Sequence, residues 1–101
     1  MDYGSSKWKH KRERILRLDN YLCQVARMYG KREPACIVHH IYPAKEYPQY
    51  QWETWNLISV SHKGHELLED RHTGELTPLG LALQKRTVPG VDWRKQRKSF
   101  V

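Results

Sequence analysis

Two histidines stand side by side at positions 39 and 40, and two more, His62 and His65, open a helical stretch further on. A neutral imidazole is a good ligand for a divalent ion. It is also the side chain best suited to take a proton from water near neutral pH. Ala35-Cys36-Ile37-Val38-His39 is short, apolar and rich in β-formers, so the pattern predicts a strand ending at the histidine pair. Adjacent strand residues point to opposite faces. His39 and His40 therefore cannot both bind one ion, and different tasks follow: one ring binds metal while the other works on a water.

Bringing the distant histidines together takes a pair of strands packed on a helix. Asn56 to Ser61 reads as the second strand, with Asn56 at its start. His62 to Arg71 reads as a helix, with Ser61 as its N-cap and Leu67 and Leu68 turned inward. Between the strands, Ala44 to Trp55 is aromatic and polar with no helical period, a loop of about a dozen residues. Ahead of the strands, Lys7 to Leu18 reads as an amphipathic helix with Trp8, Ile15, Leu16 and Leu18 on one face, broken by Asp19-Asn20. After them, Thr77-Pro78 opens a helix from Leu79 to Arg86, and Val88-Pro89-Gly90 breaks it. Val91 to Val101 is a basic tail, expected to become ordered on binding.

Taken in order, Val38-His39-His40-Ile41-Tyr42-Pro43, then Trp55-Asn56-Leu57-Ile58, then His65 resemble the HNH endonuclease family and its ββα-metal (His-Me finger) fold. The flanks are similar too. Arg14-Ile15-Leu16-Arg17-Leu18-Asp19-Asn20-Tyr21-Leu22-Cys23 looks like the family's entry segment, and Glu75-Leu76-Thr77-Pro78-Leu79-Gly80 like the exit segment of small phage members. The resemblance implies an α+β fold. A basic N-terminal helix (1–20) would pack on a nuclease core (21–86), followed by a basic tail (87–101). It implies His40 as general base, and Asn56 as the residue that holds the loop or the base ring by hydrogen bonds. His39 and His65 would be ligands of one divalent ion. Mg²⁺ or Mn²⁺ is expected, with Ni²⁺ or Zn²⁺ left open because two imidazoles suit later transition metals. Glu69, four residues after His65, would complete the coordination or else form a salt bridge with a neighbouring base. DNA is the implied substrate. Phage terminase or packaging proteins are the implied partners, since phage members often serve genome packaging.

One departure matters. Many members carry two Cys-x-x-Cys pairs that hold a structural zinc. Here Cys23 is followed by Ala26, and Ser61 and Gly64 stand where the second pair would be. One ligand of four cannot hold a tetrahedral zinc, so no structural zinc is expected. Cys23 and Cys36 read as buried apolar residues rather than nucleophiles. His62 reads as a solvated helix residue or a phosphate contact, His10 as a surface residue, and His72 as the end of a helix. The aromatic set Tyr42, Tyr47, Tyr50, Trp52 and Trp55 reads as a local core under the long loop in preference to a base-stacking platform.

Charge sets the expected partner. The 101 residues carry 18 Lys+Arg against 11 Asp+Glu. The excess sits at the ends: net +3 over 1–20, −1 over 21–83 and +5 over 84–101. Basic ends around a near-neutral centre suit a compact site with phosphate-gripping arms. Lys63, Arg71, Arg94, Lys95, Arg97 and Lys98 are the candidate contacts. Such contacts carry little sequence information. The length excludes a full dinucleotide-binding domain or a barrel enzyme. No run of 18 apolar residues offers a membrane span. The opening MDYGSSKWKHKRER has no apolar segment behind its basic residues, so a cytoplasmic protein with reduced thiols is expected. The rival reading is a non-catalytic DNA-binding module on a degraded form of the same fold. A pure binder has no need to keep His39, His40, Asn56 and His65 together.

Overall fold

The structure is a computed structural model and describes residues 1–96. Arg97 and Lys98 lie outside the described residues. Helix α1 (Ser6–Leu18) begins where the Ser5 hydroxyl accepts the N–H of Trp8 at 3.2 Å. Trp8, Ile15 and Leu16 share one face and are buried. Leu18 does not join them and is 50% exposed. Two residues past Leu16, it has turned about 200° around the helix. The helix ends where Asn20 and Tyr21 both adopt left-handed backbone, with φ of 55° and 56°. Asn tolerates this region, and a residue such as Tyr meets a cost of about 1–2 kcal/mol there. Asp19 sits just before this reversal with its carboxylate in the interior. After it comes a short helix that the sequence pattern did not show, α2 (Gln24–Met28).

Strands β1 (Ile37–His40) and β2 (Leu57–Val60) pair antiparallel, with His39 opposite Ile58 and His40 opposite Leu57. Alternation gives the two faces different partners. Val38 and Leu57 pack with Trp8, Ile15 and Leu16 of α1. On the other face Ile58 and Val60 pack with Val25 of α2, Leu68 of α3 (His62–Leu68) and Leu83 of α4 (Pro78–Arg86). The result is a two-stranded sheet between helices on both sides, an α+β architecture of the ββα kind. Burying each large apolar side chain contributes about 1.5–3 kcal/mol, and neither side of so small a sheet has apolar area to spare.

Helix α3 starts as the sequence indicates, with the Ser61 hydroxyl accepting the N–H of Gly64 at 3.0 Å. It stops at Leu68, short of the expected Arg71. Glu69 turns extended and bridges to Leu76. The Asp70 carboxylate then takes the N–H groups of His72 and Thr73, closing a turn. Of the two expected inward residues, Leu68 is buried and Leu67 is exposed. Thr77 caps α4 with Pro78 in its first turn. Gly80 lets α4 close onto α3, since a Cβ there would lie 2.1 Å from the Leu68 carbonyl oxygen.

The arc between the strands contains two 3₁₀ turns, Pro48–Tyr50 and Thr54–Asn56. Of the five aromatics expected to form a local core under the loop, Tyr42, Tyr47, Tyr50 and Trp55 pack on one another with ring centroids 4.8–6.0 Å apart, whereas Trp52 packs against Trp8 of α1. The four positions of the lost zinc knuckle still converge. The Cys23 thiol accepts the Ala26 N–H at 3.5 Å and lies 3.4 Å from the Ser61 hydroxyl, and a Cβ on Gly64 would sit 2.6 Å from its sulfur. Cys23 is buried as expected, whereas Cys36 is exposed.

The tail departs from expectation. Residues 93–96 form a short helix, α5 (Trp93–Gln96), whose Trp93 indole donates to the Trp55 carbonyl at 3.0 Å. Arg94 was read as a phosphate contact, and the structure corrects this. Its guanidinium grips the buried Asp19 carboxylate at 2.7 and 2.9 Å and donates to the carbonyls of Thr54 and Leu57. The donors that would face a phosphate are taken up inside the protein.

Candidate functional site

The end of β1 presents its two histidines to different neighbours. His39 faces α3, where its ring centroid lies 5.2 Å from that of His65. Glu69 reaches into the same space, 3.4 Å from His65 Nε2 and 4.0 Å from His39 Nδ1. One ligand atom from each of the three lies within 4.8 Å of the others, the one such group of three or more His, Cys, Asp or Glu side chains among the described residues. Glu69 takes part although it has left the helix.

His39 is almost fully buried, and its Nε2 has no hydrogen-bond partner. Buried polar atoms are nearly always satisfied, so an orphan of this kind points to a missing partner. Burial, followed by the neighbouring imidazoles of His65 and His40, pushes the pKa of His39 down to about 3. The ring is neutral at physiological pH and keeps a lone pair for coordination. Two imidazole nitrogens and a carboxylate oxygen form a donor set that fits a divalent ion such as Mn²⁺, Zn²⁺ or Ni²⁺. The residues expected to ligate are thus brought together.

His40 lies on the α1 side. Its ring stacks on Trp8, with centroids 5.4 Å apart and planes 18° from parallel. Its Nε2 lies 3.0 Å from the Gln51 carbonyl oxygen. A carbonyl can only accept, so Nε2 carries the proton and the neutral ring holds its lone pair on Nδ1. Burial lowers the pKa of His40, with the Gln51 hydrogen bond opposing part of that shift. The base form is therefore favoured, and its tautomer is set by a backbone group.

Asn56 is fully buried. Its amide donates to the carbonyls of Tyr42 and Tyr50 at 3.0 and 3.1 Å, and its Oδ1 accepts the Tyr42 N–H at 2.6 Å. Of the two tasks open to it from the sequence, holding the loop or holding the ring, the geometry gives the first. It ties together the two ends of the arc that presents Gln51.

Among solved structures, the HNH endonuclease of the deep-sea thermophilic bacteriophage GVE2, solved with manganese ion, is similar to this chain at 34% sequence identity. The match covers 63% of this chain and 70% of that one, with a TM-score of 0.61. The chain belongs to the HNH endonuclease family. Searches of family models and of curated proteins find no match.

The remaining sequence-predicted residues of this HNH chain fall as follows. Lys63 is exposed in the first turn of α3, and Lys95 is exposed on α5. Arg71 is exposed and paired with Glu66 at 3.5 Å. His10, His62 and His72 are exposed and stand outside the ligand group. Among the described residues no helix is long and apolar enough to cross a membrane. Two parts of the HNH site escaped the sequence reading. Gln51 meets His40 through its backbone carbonyl, which no side-chain pattern can signal. Trp8 was placed on the core face of its helix by periodicity, but its contact with His40 is tertiary.

Proposed function

We propose that this HNH chain is a metal-dependent endonuclease that hydrolyses DNA phosphodiester bonds. The observation that carries the reading is the division of labour at the end of β1: a three-residue ligand group on one face, and on the other a ring whose free Nδ1 is set by the Gln51 carbonyl. His40 Nδ1 takes a proton from water as the water oxygen attacks phosphorus, and the bond to the 3′ oxygen breaks. Trp8 and Gln51 hold the ring so that its rotation is not part of the barrier. His39, His65 and Glu69 would hold one divalent ion. When bound, that ion supplies charge neutralisation at the phosphate and at the leaving oxygen. Lys63, Arg71, Lys95, Arg97 and Lys98, with the basic face of α1, are proposed to contact backbone phosphates.

The test is incubation of purified protein with supercoiled plasmid and Mg²⁺ or Mn²⁺, alongside EDTA and a His40→Ala variant. Relaxed or linear product from wild type is expected. His40→Ala should cut about 10²–10⁴-fold more slowly while retaining Mn²⁺ affinity in calorimetry, because its ligand group is intact. Retardation of DNA on a gel with no cutting under any divalent ion would favour the non-catalytic binding module instead.

A further inference from the structure

Residues 2–5 form a tight turn ahead of α1. The Ser5 N–H and hydroxyl both donate to the Asp2 carbonyl, at 3.3 and 2.9 Å, and the Gly4 N–H donates to the Asp2 carboxylate at 2.9 Å. Ser5 is also the cap of α1, so the turn is fixed to the helix that carries Trp8. Tyr3 stands at its tip. Its ring meets Trp8 edge-on at 5.4 Å and His40 edge-on at 6.2 Å. The side chain is nevertheless 55% exposed, and its hydroxyl has no hydrogen-bond partner among the described residues.

Packing alone does not account for this arrangement. An aromatic ring there for burial would be covered, and one there for solubility would not pack edge-on against both rings of the Trp8–His40 stack. We propose that Tyr3 is a substrate-contacting residue whose hydroxyl donates a hydrogen bond to a backbone phosphate of DNA held at the His40 and His39–His65–Glu69 site. This rests on the endonuclease reading given above. Burial, and then the charge of Glu69, raise the phenol's pKa, so the hydroxyl keeps the proton it would donate.

The test compares wild type, Tyr3→Phe and a control, Tyr29→Phe, an exposed tyrosine with no ring contact to Trp8 or His40 among the described residues. Tyr3→Phe keeps the ring packing and removes only the hydroxyl. One readout is kcat/KM for plasmid cleavage in Mn²⁺. The other is the anisotropy of a labelled duplex in EDTA, where nothing is cut. Tyr3→Phe should lower kcat/KM between tenfold and a hundredfold, about what loss of one hydrogen bond to a charged group gives, with duplex affinity weakened and thermal melting and Mn²⁺ affinity unchanged. Tyr29→Phe should match wild type. Wild-type cleavage by Tyr3→Phe would overturn the proposal, because the ring would then only pack. Faster cleavage would also overturn it, because Tyr3 would then shield His40. If wild type cuts no DNA with any divalent ion, the endonuclease reading fails by itself. The anisotropy arm then decides the contact: weakened binding by Tyr3→Phe supports it, and unchanged binding overturns it.

Discussion

A neutral imidazole held in a dry place is a titration as well as a candidate ligand. His39 has a pKa of about 3 in the folded protein against 6.5 when unperturbed. Below pH 6.5 the unfolded chain takes up a proton that the native state refuses, so acid favours unfolding. The metal-free protein should lose about 1.4 kcal/mol per pH unit once well below 6.5, continuing towards pH 3. His40, also shifted down, acts in the same direction. Urea midpoints in EDTA at pH 7 and pH 5 measure this, and His39→Asn should flatten the dependence. Asn56→Ala removes the side chain that satisfies three backbone groups of the arc. It should cost about 2–3 kcal/mol and slow cleavage, with Mn²⁺ affinity retained. A variant that cuts like wild type would separate the arc from the chemistry. At this scale the family resemblance pointed to His39, His40, Asn56 and His65 and left Glu69 open, and the structure brings His39, His65 and Glu69 into one group. The sequence was silent about the Gln51 carbonyl, and it misjudged Arg94 because a buried carboxylate partner 75 positions away leaves no local trace.

At the level of elements, the two strands were readable because their residues favour extended backbone and alternate between two apolar faces, Ile37, Ile58 and Val60 on one and Val38 and Leu57 on the other. Helix α2 was not, since its five residues are too few to show a period. The early end of α3 was hidden for a different reason: Glu69 leaves the helix to pair with Leu76, a contact made across a turn. The glycines at element contacts give a sharp test. Gly80→Ala would place a Cβ 2.1 Å from a backbone oxygen, which cannot yield as a flexible side chain can. It should push α4 away from α3 and cost more than the roughly 1–3 kcal/mol of ordinary overpacking. Gly64→Ala meets the Cys23 sulfur at 2.6 Å instead. The double change Gly64→Ala with Cys23→Ala should recover part of the loss in thermal melting, and failure to recover any would place the strain elsewhere.

Over the whole molecule, Asp19 and Arg94 hold the two ends of the described chain against the middle. Asp19 also accepts the N–H of Ser59 in β2, so one carboxylate joins the end of α1, the sheet and α5. Arg94→Ala would leave that carboxylate buried and unpaired, and about 3–5 kcal/mol of stability should go with it. The Asp19→Ala, Arg94→Ala double variant should lose less than the sum of the two single ones in denaturant titration, and additive losses would refute the pairing. On the proposed endonuclease reading, charge outside this clasp governs affinity for DNA. Affinity for duplex should fall linearly on a log–log plot against salt, and Lys63→Ala should reduce the slope by about 0.9 if that lysine neutralises one phosphate. The hairpin adds a rule of parity. A single residue inserted between His39 and His40 would make them next-but-one neighbours, swing both rings to the same side and leave Trp8 facing a stranger, whereas extra residues in the arc from Ala44 to Pro48 would leave odd and even undisturbed. Tolerance for changes of length is therefore set by arithmetic modulo two in the strand, and hardly at all in the arc.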